Sequence, residues 1–419
     1  RGVLMSKMLF SLDIGSSKII ALVGSIGETI EVHGVSNYYY TTSNKSNDYL
    51  NVNNGVVCNI ETVSVKVLQV LNEAKINADC SSGGVIVNIA GSNVRSIYSK
   101  NRIDLNNTVI TFDVMQQLIT DARRMELPAN YESLDYEVQE YILDGQNYSI
   151  NPLHLTANSI ESNINIFTAG RSAISNLKKI VRYSGFNLAK IVPSGVLSGM
   201  SVLHYEEKEL GCCLIDIGAG TTDIVVYENG FIRYIYSIPI GGEDITRDIS
   251  AVLKISRNLA EDIKINYGSC AYIDVNHKLR ENISVTDHRG LNIIISRKLL
   301  IDIINERLRE IFQFVKTEIH KQKIYDIISS GMVITGGTAL LPSIEENARQ
   351  YFNMPVRIGV PLYNGNFSDL ITSPKYATSL GALYFAKEYM AEEIKAQNTP
   401  NYIGNIKKIM NRLFTKSQK

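Results

Sequence analysis

Two aspartates, Asp13 and Asp216, stand at equivalent places in two similar stretches of the chain. Residues 9–24 read LFSLDIGSSKIIALVG and residues 213–230 read CLIDIGAGTTDIVVYENG. Glycine permits a tight turn here, and the exposed amides of such a turn form an anion-binding concavity. Carboxylates beside it could hold a hydrated Mg²⁺ ion, which keeps most of its waters and takes few protein ligands. The two stretches therefore predict a site for phosphate groups and magnesium.

A third glycine motif lies further along the chain. Residues 331–348 read GMVITGGTALLPSIEENA, a short apolar strand, then Gly336-Gly337, then a helix entered through Pro342. Bare glycine backbone lets a flat base or a ribose approach closely. Taken alone, each of these motifs is more often an ordinary tight turn than a ligand site. The recurrence of the Asp-Ile-Gly stretch, roughly 200 residues apart, indicates two duplicated domains that face each other.

The elements that position the two aspartates are strands. Apolar and β-branched residues on both sides of each Asp-Ile-Gly turn predict a strand, a turn and a second strand. A chain of 419 residues is too long for one core and predicts about two to four domains.

Composition narrows the class of protein. Hydrophobic residues make up 45% and charged residues 20% of the chain, as in a soluble globular protein. The 42 basic and 42 acidic residues cancel, so bulk charge gives no reason to expect binding to nucleic acid. Five cysteines without C-x-x-C spacing indicate small buried thiols in a reducing cytosol rather than a metal site. No stretch reaches the roughly 18 uninterrupted apolar residues that a spanning helix needs.

The order of the motifs, two Asp-Ile-Gly hairpins and then Gly-Gly before a helix, resembles the actin-like ATPase superfamily. The resemblance implies an α/β protein with an actin-like duplicated fold, two lobes around a nucleotide cleft, and ATP with Mg²⁺ as ligands. Asp13 and Asp216 would hold the Mg²⁺ ion. The implied nucleotide-binding residues are Asp13, Gly15, Ser16, Ser17 and Lys18 of the first hairpin, Asp216, Gly218, Gly220, Thr221 and Thr222 of the second, and Gly336, Gly337 and Thr338 of the third motif.

The segment AEDIKINYG also resembles a helix of this superfamily. In the superfamily, a Glu and a Lys on this helix reach the ribose and base, and here they would be Glu261 and Lys264. The alternative is a solvated helix face without a ligand.

The connection before the second hairpin bears on hydrolysis. Actin-like ATPases that hydrolyse ATP readily carry a Gln or an acid there, which positions the attacking water. Here residues 191–203 read IVPSGVLSGMSVL, with Ser194 and no carboxylate or amide. A hydroxyl is a poor general base, so the sequence predicts ATP binding with slow or negligible hydrolysis and no catalytic residue.

Within the superfamily, the chain resembles the FtsA family of bacterial cell-division proteins. The segments GSIGETIEVHGVSN and NGVVCNIETVSVKVLQVLNEAK resemble the first domain of that family, and TFDVMQQLITDARRM predicts a helix in an inserted 1C-type subdomain. The implied domains are 1A (5–84 and 164–204), 1C (85–163), 2A (205–240 and 313–391) and 2B (241–312), followed by a linker (392–404) and a terminal helix (405–419).

The FtsA resemblance implies a membrane-tethered adaptor that polymerises, binds the C-terminal tail of the tubulin-like protein FtsZ and recruits other division proteins through domain 1C. It would lie on the cytoplasmic face of the bacterial cell membrane at the division septum. Residues 296–319 have helical periodicity, and by resemblance this region of domain 2B, with Arg307 and Glu310, receives the FtsZ tail. A surface ion pair between these two residues is the alternative.

Two other functions share this fold. An actin-fold small-molecule kinase would need a catalytic base and a substrate cleft, and no acidic motif outside the nucleotide elements suggests either. A DnaK-type chaperone would need a substrate-binding domain after the ATPase, and we expect none in the short stretch that follows Ala391.

The end of the chain, YIGNIKKIMNRLFTKSQK, has the pattern of an amphipathic helix after a flexible linker marked by Pro400 and Gly404. Its apolar residues share one helical face, and its basic residues lie on the other side. This pattern predicts a helix that binds anionic lipids in the membrane interface without crossing it. A helix docked on the protein itself or on a partner remains the alternative. The predicted membrane-binding residues are Ile406, Ile409, Met410, Leu413 and Phe414.

Overall fold

The computed structural model describes residues 7–40, 51–81, 83–92, 94–149, 151–271, 282–286, 290 and 292–397. Its strands are β1 (Lys7–Ile14), β2 (Lys18–Ile26), β3 (Ile30–Tyr39), β4 (Val52–Asn53), β5 (Val56–Val57), β6 (Gly84–Ile89), β7 (Arg95–Val109), β8 (Tyr131–Leu143), β9 (Asn147–Ser149), β10 (Thr156–Gly170), β11 (Asn187–Pro193), β12 (Cys212–Ile217), β13 (Thr222–Glu228), β14 (Phe231–Ile238), β15 (Asn282–Thr286), β16 (Asn292–Ser296), β17 (Met332–Thr335) and β18 (Val356–Ile358).

The helices of the described residues include those that the sequence predicts at residues 111–125, 260–267 and 296–319. In chain order they are α1 (Ile60–Asn77), α2 (Phe112–Arg123), α3 (Arg171–Tyr183), α4 (Ser194–Val202), α5 (Tyr205–Leu210), α6 (Gly242–Leu253), α7 (Arg257–Tyr267), α8 (Arg297–Lys321), α9 (Ile344–Phe352), α10 (Ser368–Ile371) and α11 (Ala377–Gln397). Short 3₁₀ turns cover Gly337–Leu340 and Pro374–Tyr376.

The first lobe is built on a mixed sheet with the strand order β11-β6-β1-β2-β3. The β1–β2 hairpin is antiparallel, and β6 runs parallel to β1. Helix α1 packs on β2 and β3. Its buried residues recur at helical spacing, with Val63, Val67, Val70 and Ala74 on one face. The sheet thereby holds the first Asp-Ile-Gly turn at the end of a buried central strand.

The second lobe repeats this arrangement. Its strands run in the order β18-β17-β12-β13-β14, with an antiparallel β12–β13 hairpin and β17 parallel to β12. A core of its own lies between this sheet and the helices around α8, and it includes Ile215, Ile249, Leu308 and Phe352. The second turn therefore occupies the same place in its sheet as the first. This is the duplication that the sequence predicts.

The inserted unit comprises β7, α2, β8, β9 and β10. It has a separate small core that includes Ile110, Leu118, Tyr141 and Ile160. The strands β8, β10 and β7 continue the sheet of the second lobe, because Arg95 pairs with Tyr236 of β14.

Three of the implied domain boundaries differ from the structure. The limit at residue 85 falls inside β6, which pairs with β1 and β11 in the first-lobe sheet, so the inserted unit begins after Ile89. The limit between 312 and 313 falls inside the continuous helix α8. The segment 313–391 does not stay in the second lobe, because Leu380, Leu383 and Phe385 of α11 pack in the core of the first.

Candidate functional site

The two Asp-Ile-Gly turns contain the same backbone hydrogen bond. Between β1 and β2, the Gly15 amide donates to the Lys18 carbonyl over 2.8 Å. Between β12 and β13, the Gly218 amide donates to the Thr221 carbonyl, also over 2.8 Å. The repeated sequence is therefore a repeated geometry, and the strand-turn-strand prediction is confirmed for both stretches.

The two hairpins approach each other at Ser16 and Gly220. A Cβ atom on Gly220 would lie 2.4 Å from the Ser16 hydroxyl oxygen and 3.0 Å from Cα of Asn54. The same hydroxyl accepts a hydrogen bond from the Gly55 amide over 3.2 Å. A side chain at position 220 would push the hairpins apart, so the close approach of the two lobes requires glycine there.

Asp13 lies at the end of β1 and is buried, with 5% of its surface exposed. Its Oδ1 atom accepts a hydrogen bond from the Asn88 amide over 2.8 Å. Its Oδ2 atom lies 3.8 Å from the Lys18 ammonium. Burial raises the pKa of the Asp13 carboxyl above its usual value, and the charge of Lys18 partly offsets this effect.

Asp216 holds the equivalent place at the end of β12 and is buried to the same degree. Its Oδ2 atom accepts hydrogen bonds from the Ser198 hydroxyl of α4 and, over 3.3 Å, from the Thr378 hydroxyl of α11. Burial raises the pKa of Asp216, the Ser198 hydrogen bond opposes this, and the negative charge of Asp13 raises the pKa as well. The two carboxylates are therefore close enough to repel each other.

This pair fits a hydrated Mg²⁺ ion. Buried charges are costly unless a counter-charge or a metal compensates them, and Mg²⁺ binds through one or two carboxylates while retaining waters. Among the residues that the structure describes, no group of three or more His, Cys, Asp or Glu gathers as a larger ligand set.

The third motif begins directly beside the second hairpin. Gly336 has a φ of +88°, and a Cβ atom there would lie 2.3 Å from Oδ1 of Asp216. Gly337 differs, since a Cβ atom on it would meet nothing within 4 Å. The Thr338 hydroxyl donates to the Gly218 carbonyl over 3.0 Å. The motif therefore leaves open space next to Asp216, and the structure brings all three glycine motifs together.

Glu261 and Lys264 lie on α7 and face the start of α6. The Lys264 ammonium lies 2.7 Å from Oε2 of Glu261 and donates to the Gly242 carbonyl over 2.9 Å. The Gly242 amide in turn donates to the Gly218 carbonyl over 2.9 Å. The α7 pair is thus connected to the second hairpin through the first turn of α6 and is not a freely solvated face.

Two predicted residues have other contacts. Thr222 is fully buried, and its hydroxyl donates to the Ile240 carbonyl over 2.8 Å. The side chain of Ser17 is exposed, and its carbonyl accepts from the Tyr40 amide over 3.0 Å. The Thr222 hydroxyl therefore stabilises the turn through a hydrogen bond to the backbone of its own lobe.

The motifs of the sequence give no reason to place Asn88 in the site, and they show Asp223 at the end of the second phosphate motif without assigning it a role. Asn88 is a polar residue inside the apolar strand β6, which is the signal that could have revealed it. Asp223 lies opposite Asp216 in the β12–β13 ladder. Burial and then the negative charge of Asp216 raise the pKa of Asp223 to about 8.

Asn88 and Asp223 both lie beside the connection at 191–203. The Asn88 amide donates to the Ser194 hydroxyl over 3.0 Å, and a Cβ atom on Gly195 would lie 3.2 Å from Cβ of Asp223. The connection itself has no amide or carboxylate, but the fold places one of each beside it.

Arg307 of α8 has a second partner that the sequence did not predict. Its Nε and Nη2 atoms donate to the two carboxylate oxygens of Asp248 in α6, over 2.6 Å and 2.9 Å. Arg307 also contacts Glu310, the i, i+3 ion pair considered above. A bidentate pair of this kind holds the two helices together, whether or not a partner also binds there.

The predicted membrane-binding residues Ile406, Ile409, Met410, Leu413 and Phe414 lie outside the described residues, as does most of the predicted linker. Among the described helices, none is long and apolar enough to cross a membrane.

Comparison with solved structures defines the class of protein. A chain of the PilM-PilN type IV pilus biogenesis complex aligns with a TM-score of 0.61 and 14% identity, covering 90% of this chain and 98% of its own. MreB5 of Spiroplasma citri bound to ADP aligns with a TM-score of 0.56 and 15% identity, covering 93% of this chain and 98% of its own. The chain has the α/β actin-like fold, as predicted.

Sequence comparison identifies the family. The family model for "Cell division protein FtsA" matches residues 213–381, and that for "SHS2 domain inserted in FTSA" matches residues 91–168. The cell division protein FtsA of Pseudomonas aeruginosa is 32% identical over 391 residues, covering 92% of this chain and 91% of that protein. FtsA of Neisseria meningitidis serogroup B is 33% identical over 378 residues, covering 90% and 89%. The chain belongs to the FtsA family of cell division proteins, and its inserted unit is an SHS2 domain.

Proposed function

We propose that this protein is an ATP-binding, membrane-tethered adaptor of cell division. It polymerises, anchors FtsZ filaments to the cytoplasmic face of the membrane at the septum, and recruits later division proteins through its inserted unit. The observation that carries the nucleotide part of the proposal is the convergence of two equivalent glycine hairpins, each with a buried carboxylate, on the Gly336-Gly337 motif. Membership of the FtsA family supports the adaptor part.

The residues of the cleft suit ATP and Mg²⁺ in the following way. Backbone amides of the two hairpins, with Lys18 beside them, would bind the phosphate groups. Asp13 and Asp216 would hold the hydrated Mg²⁺ ion, which neutralises phosphate charge when it is bound. The open side of Gly337 leaves room for ribose or base, and the Glu261–Lys264 pair lies near the same end. A solved structure of MreB5 bound to AMPPNP, which has the same fold, is consistent with this assignment.

We propose that ATP acts mainly as a conformational ligand, because the connection at 191–203 carries no carboxylate or amide of its own to position a water, and the side chain of Asn88 beside it is already hydrogen-bonded to Asp13, Ile14 and Ser194. The test is to measure ATP·Mg²⁺ binding and turnover on the same preparation. We expect measurable binding that Asp216→Ala weakens, with turnover far below the range of about 1–100 s⁻¹ of kinases. Efficient phosphoryl transfer to a sugar would contradict the adaptor and favour the small-molecule kinase.

Polymerisation and lipid binding are tested together by electron microscopy on a lipid monolayer with ATP. We expect filaments of the protein on anionic lipid, because many weakly bound terminal helices on one polymer bind the surface by avidity. A control monolayer of neutral lipid should carry few filaments. A uniformly monomeric protein on anionic lipid at saturating ATP would contradict the proposal.

A further inference from the structure

The segment from Asn88 to Gly91 leads from β6 into the inserted unit and contacts the first hairpin at its beginning. The Asn88 side chain is buried, with 4% of its surface exposed. Its amide nitrogen donates to Oδ1 of Asp13 over 2.8 Å, and its carbonyl oxygen accepts from the Ile14 amide over 2.7 Å. Both hydrogen-bonding ends of Asn88 are therefore bound to the residues that precede the first glycine turn.

The other end of this segment contacts the second lobe. The Gly91 amide donates to the Ser237 hydroxyl oxygen over 3.1 Å. Ser237 lies directly opposite Asp223 in the β13–β14 ladder, so the two side chains lie on the same face of the sheet and within reach of each other. Ser237 is fully buried. One hydroxyl therefore binds the entry of the inserted unit and lies opposite Asp223, the carboxylate next to Asp216.

The packing around Gly91 leaves little room for independent movement. Gly91 has a φ of +106°, and a Cβ atom on it would lie 3.1 Å from the Asn54 carbonyl. A Cβ atom on Gly55 would lie 2.9 Å from the Gly91 nitrogen and 3.0 Å from Cγ2 of Thr221. The second hairpin therefore reaches this segment through Gly55, which packs against both Thr221 and Gly91.

Close to this segment, the inserted unit docks on the edge of the second lobe through few main-chain bonds. Only Arg95 of β7 pairs with β14 among the described residues, and the other hydrogen bonds between the inserted unit and β14 are mostly between side chains and backbone. The Ile235 amide donates to the Ser96 hydroxyl over 2.9 Å, and the Asn165 amide donates to the Ile232 carbonyl over 2.9 Å. Such a junction can be rearranged without breaking a strand ladder.

We propose that the segment 88–91 couples nucleotide binding in the cleft to the docking of the inserted unit on β14, with Ser237 as the positioning residue. This inference rests on the proposed function, because it requires ATP at the two hairpins. Binding of phosphate and Mg²⁺ changes what Asp13 and the Asp216–Asp223 pair contact, and Asn88 and Ser237 carry the change to Gly91. Coupling is reciprocal, so a partner that holds the inserted unit in one position changes ATP affinity by the same factor.

The test is hydrogen exchange of the full chain with and without saturating ATP·Mg²⁺, with ATP binding measured separately by titration. In the wild type, we expect ATP to slow exchange of residues 95–101 of β7 by about fivefold or more. Ser237→Ala should reduce this slowing to less than about twofold, because it removes the hydroxyl that binds the Gly91 amide and lies opposite Asp223. Ser96→Ala is the matched control, since it deletes the same group from the same junction without touching the cleft. It should keep the ATP-dependent slowing.

The outcomes separate the inference from the function on which it rests. Absence of ATP binding in the wild type would overturn both. ATP binding without any slowing at residues 95–101, or equal slowing in the Ser237→Ala and Ser96→Ala proteins, would overturn the coupling alone. If Ser237→Ala does not fold, Ser237→Cys keeps nearly the same volume with a much weaker hydrogen-bonding group, and the same comparison applies.

Discussion

Gly336 and Gly337 follow the same strand, but their surroundings predict different effects of the same substitution. Valine at 336 needs a positive φ and a Cβ atom against Asp216, so Gly336→Val should lower the free energy of unfolding by about 1–3 kcal/mol and weaken ATP binding. Valine at 337 enters open space, so Gly337→Val should change stability by less than about 0.5 kcal/mol. If that space receives the nucleotide, Gly337→Val should still weaken ATP binding about tenfold or more.

The measurement pairs urea unfolding with ATP titration for both glycine variants. Gly337→Val is the more informative variant, because we expect its stability to stay nearly unchanged while its affinity for ATP falls. Full ATP affinity in Gly337→Val would show that the nucleotide does not occupy the space beside this glycine.

Asp223 makes the stability of the free protein depend on pH. Its pKa is about 8 in the folded chain, against an ordinary value of 3.8. Between these values the folded state keeps a proton that the unfolded state releases, so this group's stabilisation is complete below about pH 4 and is lost as pH rises towards about 8. Asp223→Asn removes the titration. Between pH 5 and pH 7, the free energy of unfolding of the parent should therefore fall by about 2–3 kcal/mol more than that of the variant.

Urea unfolding of both proteins without nucleotide, at pH 5 and at pH 7, measures this difference. The comparison between variant and parent cancels the titrating groups that do not interact with Asp223. Asp13 and Asp216 interact with it, so the difference reports Asp223 together with its effect on these two carboxyls. Parallel pH dependence in the two proteins would mean that Asp223 is ionised in the folded state.

At the scale of elements, the pair of helices α6 and α8 allows a test of the predicted FtsZ site. Arg307→Glu and Asp248→Asn both break the bidentate ion pair. Asp248→Asn should cost about 0.5–1 kcal/mol of stability, and Arg307→Glu should cost more, because it places a carboxylate beside Asp248 and Glu310. Only Arg307→Glu also removes the cation proposed to meet the FtsZ tail. Titration with a peptide of that tail should therefore show a loss of about tenfold in affinity for Arg307→Glu and little change for Asp248→Asn.

Equal affinities for the wild type and Arg307→Glu would remove Arg307 from the binding site. Equal losses in both variants would show instead that the peptide depends on the relative position of α6 and α8. Glu310→Gln provides a third comparison, because it leaves the Arg307–Asp248 pair intact.

Some elements of the site could be predicted from sequence because their signals are local. Each Asp-Ile-Gly hairpin has its two strands, its turn and its carboxylate in one short stretch of sequence. The pattern of apolar residues and the residues of the turn are therefore enough to predict it. The partners of those carboxylates are not local. Ser379 hydrogen-bonds to Asp13 across 366 residues of sequence, and Ser198 binds Asp216 from α4, a helix of small and apolar residues whose sequence does not indicate this partner. Such contacts follow from packing, which no short pattern encodes.

At the scale of the whole molecule, α11 joins the two halves of the site. Its consecutive residues Thr378 and Ser379 contact Asp216 and Asp13 respectively, so one helix start touches a carboxylate from each lobe. This arrangement explains why assigning residues 313–391 to the second lobe was wrong for α11. The helix must pack in the first lobe to bring its beginning between the two hairpins. Any change in the separation of the lobes therefore acts on both carboxylates at once.

An adaptor of this kind combines the nucleotide cleft, the proposed FtsZ site and the predicted terminal helix in one chain. The most direct measurement is flotation of FtsZ filaments with anionic liposomes in the presence of this protein and ATP·Mg²⁺. We predict that FtsZ floats with the liposomes when the full chain is present. FtsZ should stay in the bottom fraction when residues 405–419 are removed or when Leu413→Glu places a charge on the apolar face of the helix predicted there. Flotation of FtsZ with the truncated chain, or its failure to float with the full chain, would contradict the account.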